Sequence, residues 1–509
     1  MKKYISYIAF VTLGFVACEP EFENSIEDGD VYTSGEADLS NFVAVGNSLT
    51  AGYADGALYI TGQENSYPNI LSGQFALAGG GEFTQPLMED NLGGLLLQGQ
   101  QIAENRFVLA FEDATTPLGP VRLEGQPSTE VGTTLSGSFN NVGVPGAKSF
   151  HLVAPGYGNV AGVPTGTANP YYARFASSPD ATVLGDAAAQ DPSFFTLWIG
   201  NNDILGYATS GGDGEDQTGN PDATTYGTND ITDPTLFAGV YSQMVNTLTA
   251  NGAGGVLVNL PDVTSIPFFT TVPVNAIPLD GATADFLNQN FGLYNTQILP
   301  GLVQFGIISA EEAEDRQVFF NEGQNFVTIQ DESLTDISAI LQGPPFNLDP
   351  VTAATLGQVR QATSADLIPL SAAGILGTLV NNDPTLVNGV SVPLSDENVL
   401  TEDEQEEIAV AQASYNATIQ GLAEANGLGF VDARAILQQV ANGGVTSNGT
   451  TITSQFVAGG GFSLDGVHPT PRGYALIANL IIDEINATYN SNLPGVDIGN
   501  YPTVQVTNN

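Results

Sequence analysis

The chain has 509 residues, of which 42% are hydrophobic and 9% aromatic, enough apolar material for a large packed core and too much for a disordered chain. Fifty-five acidic against ten basic residues give a formal charge of −45, which opposes binding to nucleic acid or to bare anionic lipid. A single cysteine excludes an internal disulfide framework, so the fold must rest on its core. The carboxylate excess fits a protein facing salty water outside the cytoplasm, and equally one that it simply keeps soluble.

Lys2 and Lys3 precede an apolar run, residues 4–16, too short to remain as a spanning helix, and Ala17 precedes the only cysteine, Cys18. That is the pattern of a secretory signal. Phe15, Val16, Ala17 and Cys18 resemble a bacterial lipobox, with phenylalanine where leucine is usual. The resemblance implies cleavage before Cys18 and lipid attachment to its thiol, hence an exported protein held at a bacterial membrane, outer membrane or cell surface, by an acyl anchor. Residues 19–37, acidic and rich in Gly, Ser and Asp, read as a flexible tether.

The next segment sets the organisation of the core. Phe42, Val43, Ala44 and Val45 form a short apolar strand that breaks at Gly46 and runs through Asn47 into Ser48 and Leu49. A serine at the carboxyl end of a strand, followed by helix-compatible residues, sits where backbone N–H groups converge and substrate can reach it. Ser48 is therefore the candidate nucleophile, its plain alternative being a turn or cap residue. Residues 58–134, dotted with Gly and Gln, lack a clean period and read as a loop-rich region. In residues 139–151 a short extended piece meets a turn at Pro145 and Gly146, where a glycine lets a backbone N–H come close to a ligand.

Residues 194–200 are a buried parallel strand ending in Asn201, Asn202 and Asp203, at the carboxyl edge where open α/β sheets bind ligands. Trp198, inside that strand, is expected in the core. The acidic loop 211–233 matches no calcium-loop spacing and reads as solvated. Helical spacing over 235–250, followed by an apolar strand over 255–260, argues for crossover units and a parallel sheet. Residues 267–398 lose this rhythm and read as a loop-rich insertion over the ligand edge. Thr401 and Glu404 then open the clearest helix, stopped by Gly427, and strand 429–432 returns the chain to the core. A last helix begins at Thr470, Pro471 and Arg472, with Tyr474, Leu476, Ile477, Leu480, Ile481 and Ile485 turned inward. The tail, 491–509, reads as surface wrapping.

The chain holds two histidines. His468 follows Asp465 by three residues in a polar turn, a spacing that lets the carboxylate orient the imidazole and stabilise the imidazolium, as a base serving a serine requires. His151 reads as structural.

Four short blocks, in this order, resemble the SGNH or GDSL-like serine esterases and lipases: residues 46–49 (GNSL), 141–146 (NVGVPG), 200–203 (GNND) and 465–468 (DGVH). The resemblance implies an α/β three-layer sandwich around a central parallel sheet, SGNH-hydrolase or flavodoxin-like, over residues 38–490, with the large insertion at about 267–398. It implies a catalytic Ser48, His468 and Asp465, and an oxyanion hole made by the N–H groups of Ser48 and Gly146 and the side chain of Asn202. The activity implied is hydrolysis of a carboxylic ester, in a lipid, an O-acetylated glycan or a small ester, with no metal or cofactor. Asn47 departs from the aspartate usual before the serine. Loops 58–134 and 267–398 are expected to shape the acyl and alcohol pockets. The rival reading is a non-catalytic glycan- or lipid-binding surface lipoprotein on the same fold, against which the retention of both Ser48 and His468 speaks.

Overall fold

The computed structural model describes residues 31–111 and 118–507; the signal segment, Cys18 and residues 19–30 of the expected tether lie outside them. Five strands make one parallel sheet: β1 (Phe42–Gly46), β2 (Asn141–Gly143), β3 (Phe194–Trp198), β4 (Gly254–Val258) and β5 (Gly429–Val431), in the spatial order β5-β4-β3-β1-β2. The helices that position the site and cover the sheet are α1 (Ser48–Ala51), α2 (Tyr67–Ala76), α3 (Asn202–Thr209), α4 (Pro234–Leu248), α5 (Glu402–Asn426), α6 (Ala433–Ala441) and α7 (Pro471–Tyr489).

Strand alternation divides the core in two. Val43, Val45, Phe195, Leu197 and Leu257 face one side, under the apolar stripes of α4 and α5. Phe42, Ala44, Phe194, Val256 and Val258 face the other, under α2, α6 and α7. Helices on both faces of a parallel sheet make the arrangement compatible with a three-layer sandwich. Among the described residues no helix is long and apolar enough to cross a membrane.

The helix signals in the sequence act as physics predicts. The Thr401 hydroxyl accepts the Glu404 N–H while the Glu404 carboxylate accepts the Thr401 N–H, and Gly427 ends α5 in the left-handed conformation at φ 64°. Asp233 caps α4, and Thr470 caps α7 ahead of Pro471. At the end of β1, a Cβ on Gly46 would fall 2.3 Å from the Trp198 carbonyl oxygen and 2.2 Å from Thr50 Oγ1, so only glycine fits beside β3.

Three expectations need correction. Residues 58–134 are not merely loops: they hold α2, capped by the Ser66 hydroxyl, and two antiparallel hairpins, one pairing Leu95–Leu97 with Gln100–Ala103 and the other Phe107–Phe111 with Leu118–Arg122. The expected tether is pinned at its end, where Glu36 N–H donates to the Tyr489 carbonyl and Ala37 is buried. The C-terminal tail does more than wrap the surface, since Leu493 and Ile498 are buried beside α7.

Residues 277–399 gather a hydrophobic cluster of their own, around Leu287, Phe291, Leu302, Ile329, Leu341 and Val359. Inside it the Arg360 guanidinium pairs with Asp331 and, at 2.7 and 2.8 Å, with both oxygens of Asp366. Just ahead of this segment, Phe268 N–H donates to the Gly466 carbonyl over 2.9 Å, in the turn that carries His468.

Candidate active site

Ser48 is the first residue of α1, a single turn packed against β1 and β2, so its N–H has no acceptor within the helix and its side chain sits at the carboxyl edge of the sheet. Asn47 caps that turn: its Oδ1 accepts the Leu49 N–H at 3.0 Å while its Nδ2 donates to Asn201 Oδ1 at 3.3 Å. An asparagine at this position therefore joins the nucleophile turn to the loop after β3, which a carboxylate could do only as an acceptor.

His468 comes from the turn before α7. Its Nε2 lies 2.9 Å from Ser48 Oγ, and its Nδ1 lies 2.9 Å from Asp465 Oδ2. Asp465 Oδ1 also accepts the N–H groups of Val467 and His468 at 2.9 and 2.8 Å and the Ser463 hydroxyl at 3.1 Å; Oδ2 also accepts the Gly56 N–H at 2.9 Å. Burial alone would raise the Asp465 carboxyl, but the facing imidazole and these hydrogen bonds hold it at about 2. An ionised carboxylate only accepts, which fixes the proton on Nδ1 and leaves the Nε2 lone pair facing the Ser48 hydroxyl. Ser48, His468 and Asp465 are thus brought into one relay.

Asn202 opens α3, and its Nδ2 donates to the Ala147 carbonyl at 2.9 Å, which fixes the amide plane and uses one of its two protons. Gly146, in the turn directly after β2, is exposed and holds φ 79°; among the described residues its N–H has no hydrogen-bond partner. The two segments are tied together by Asp203, fully buried, whose oxygens accept the Ser149 N–H at 2.8 Å and the Ser149 hydroxyl at 2.6 Å. Burial raises the Asp203 carboxyl, while those bonds from Ser149 pull the other way.

Sequence reasoning missed the support behind Asp465. Gly56 and Ser463 hold it directly. Asp55, buried and at φ 54°, donates its N–H to Ser463 Oγ and accepts from Leu464 N–H and Tyr59 O–H at 3.0 and 2.8 Å. The Tyr53 ring lies 4.7 Å from the His468 ring. The only trace of this in the sequence is the closeness of residues 53–59 to Ser48.

His151 is structural. Burial and the Lys148 charge pull its pKa down to about 4, its Nδ1 accepts the Lys148 N–H at 3.0 Å, and its ring stacks on Tyr157 at 4.5 Å.

A cavity of about 120 Å³ opens at Ser48, Asn202 and His468. No described residue of 58–134 or 267–398 lines it, contrary to the expectation that these segments shape the pocket; its walls come from the strand ends, residues 261–266, α3, α6 and α7. Trp198 packs in the core as expected, donating Nε1–H to the Asn259 carbonyl, yet it also borders this cavity. Among the described residues, Glu332, Asp396 and Glu404 are the one group of three potential metal ligands within 4.8 Å of one another, and none of them borders the cavity.

No family model, no curated protein and no solved structure matches the chain.

Proposed function

We propose that the protein is a serine esterase of the SGNH or GDSL-like kind, on an SGNH-hydrolase or flavodoxin-like sandwich with residues 267–398 inserted, exported and anchored through an acylated Cys18. The observation that carries this reading is the unbroken relay from Ser48 Oγ to His468 Nε2 and from His468 Nδ1 to Asp465, each step 2.9 Å long. A serine that merely capped a helix would have no need of an imidazole held in a single tautomer by an ionised carboxylate.

In this mechanism His468 Nε2 takes the hydroxyl proton as Ser48 Oγ bonds to the ester carbonyl carbon, and Asp465 stabilises the imidazolium. The carbonyl electron pair moves onto oxygen, where the N–H groups of Ser48 and Gly146 and the second Asn202 amide proton receive it. The carbon to alkoxy oxygen bond then breaks, and the imidazolium gives its proton to the leaving alcohol. Water repeats the cycle on the acyl-enzyme, losing its proton to His468 and releasing the acid.

The test is hydrolysis of p-nitrophenyl acetate and butyrate by protein lacking residues 1–18. Turnover by the wild type and its loss in Ser48→Ala, with an unchanged melting temperature, support the reading; an unchanged rate in Ser48→Ala removes it.

A further inference from the structure

The cavity at Ser48 is polar at one end only. Its mouth carries Ser48, Asn201, Asn202 and His468, and every other bordering group is apolar apart from backbone. Two helices face each other across it with residues at helical spacing: Ala433, Ile436 and Leu437 from α6, and Leu476, Ile477 and Leu480 from α7. Ile477 and Leu480, expected to turn inward, are half-buried and border this cavity. Val258, Val431 and Ile452, all buried, also line it.

From this geometry we propose, building on the esterase reading, that the groove between α6 and α7 holds the acyl chain of the substrate, and that the enzyme acts on acyl esters of about four to six carbons rather than on acetyl groups. A cavity of about 120 Å³ takes roughly five carbon-sized groups, on the scale on which a cavity of about 150 Å³ takes the six carbons of benzene. Sugar hydroxyls in the same space would lose their hydrogen bonds to water and find no replacement. The order of the steps also decides which half of the ester lies there. The alcohol must leave before water can attack, whereas the acyl group stays bonded to Ser48 through that step, so an apolar groove that begins at Ser48 suits the acyl half.

The experiment measures kcat/KM for p-nitrophenyl esters from acetyl to palmitoyl, which share one leaving group, and for acetate esters of alcohols from ethanol to decanol. Hexanoate binding to Ser48→Ala is followed in parallel by calorimetry. The expected profile rises about fourfold per added methylene, the factor equivalent to about 0.8 kcal/mol per buried CH₂, up to roughly five to six carbons, and then levels or falls. Lengthening the alcohol has little effect. Ala433→Phe, at the half-buried start of α6, lowers the hexanoyl to acetyl ratio at least tenfold, and Ile477→Ala moves the optimum to longer chains. An optimum at acetate, a dependence on alcohol length in place of acyl length, or a profile unmoved by both substitutions overturns the proposal. If no ester is hydrolysed but hexanoate binds and Ala433→Phe weakens it, the acyl groove stands and the esterase reading falls. If neither hydrolysis nor hexanoate binding is seen, both fall.

Discussion

Gly56 donates its backbone N–H to Asp465 Oδ2 over 2.9 Å, the same oxygen that receives the His468 Nδ1–H, although 409 residues separate the two in the chain. The carboxylate that orients the base is therefore held from the far side by the turn that follows the nucleophile. With its oxygens fixed in this way, Asp465 can stabilise an imidazolium without moving.

The first prediction concerns that carboxylate. Asp465→Asn places an amide where two N–H groups now converge, forces the imidazole toward the wrong tautomer, and lowers kcat by about 10⁴-fold. Steady-state rates on a p-nitrophenyl ester measure it. A loss below tenfold would mean that Asp465 does not orient His468.

The second prediction separates the oxyanion donor from its support. Asn202→Ala removes a donor and lowers kcat by about 10²–10³-fold with little change in KM. Asp203→Ala leaves Asn202 in place but takes both acceptors from the buried Ser149 N–H and hydroxyl, shifting the Gly146 to Ser149 segment, at a loss of up to about 10²-fold. Near-wild-type turnover in Asp203→Asn, whose Oδ1 can accept the Ser149 N–H while its Nδ2 donates to the Ser149 hydroxyl, would show that this pairing, and not the charge of Asp203, is the cause.

The helix with the clearest sequence signature and the turn bearing Asp465 and His468 were both legible, because caps, glycine stops and a three-residue spacing are local properties. Thr401, Glu404 and Gly427 act within a few residues of one another, and so do Asp465 and His468. Helix α2 had local signals too, in Ser66, Pro68 and the Tyr67, Ile70, Leu71, Phe75 spacing, which the surrounding glycines and glutamines obscured. What the sequence could not reveal is partnership across hundreds of residues. Nothing near Gly56 announces Asp465, and nothing in the apolar face of α7 tells Ile481, which enters the core, from Ile477, which borders a cavity.

The third prediction concerns residues 277–399. Arg360 bridges two buried carboxylates, so Arg360→Ala leaves Asp331 and Asp366 without their counter-charge and costs about 3–5 kcal/mol. Chemical denaturation followed by intrinsic fluorescence measures the shift. A change under about 1 kcal/mol would show that water reaches and solvates the pair.

The fourth prediction is a pH dependence of stability. Burial raises Asp396 to about 7 and Glu404 to about 8, helped at Asp396 by the charges of Glu332, Asp213, Asp331 and Glu397 and at Glu404 by Asp396 and Glu332, while the bonds to Thr401 oppose it at Glu404. Both folded-state values lie above the ordinary carboxylate values of 3.8 and 4.5, so the folded protein holds more protons than the unfolded chain. The stability they contribute is full below about pH 4 and is lost as pH rises through about 7 to 8. The melting temperature should fall between pH 6 and 8, and Glu404→Gln, which keeps the hydrogen bond to Thr401, should flatten that fall. A slope unchanged in this variant would exclude Glu404 as its source.

The central claim, a serine made nucleophilic by His468, is tested most directly by covalent labelling with a fluorophosphonate followed by peptide mass spectrometry. The expected result is a single adduct on the peptide containing Ser48, absent in Ser48→Ala and formed far more slowly in His468→Ala. An adduct on another serine that persists in Ser48→Ala, or a Ser48 adduct formed at the wild-type rate without His468, would contradict it.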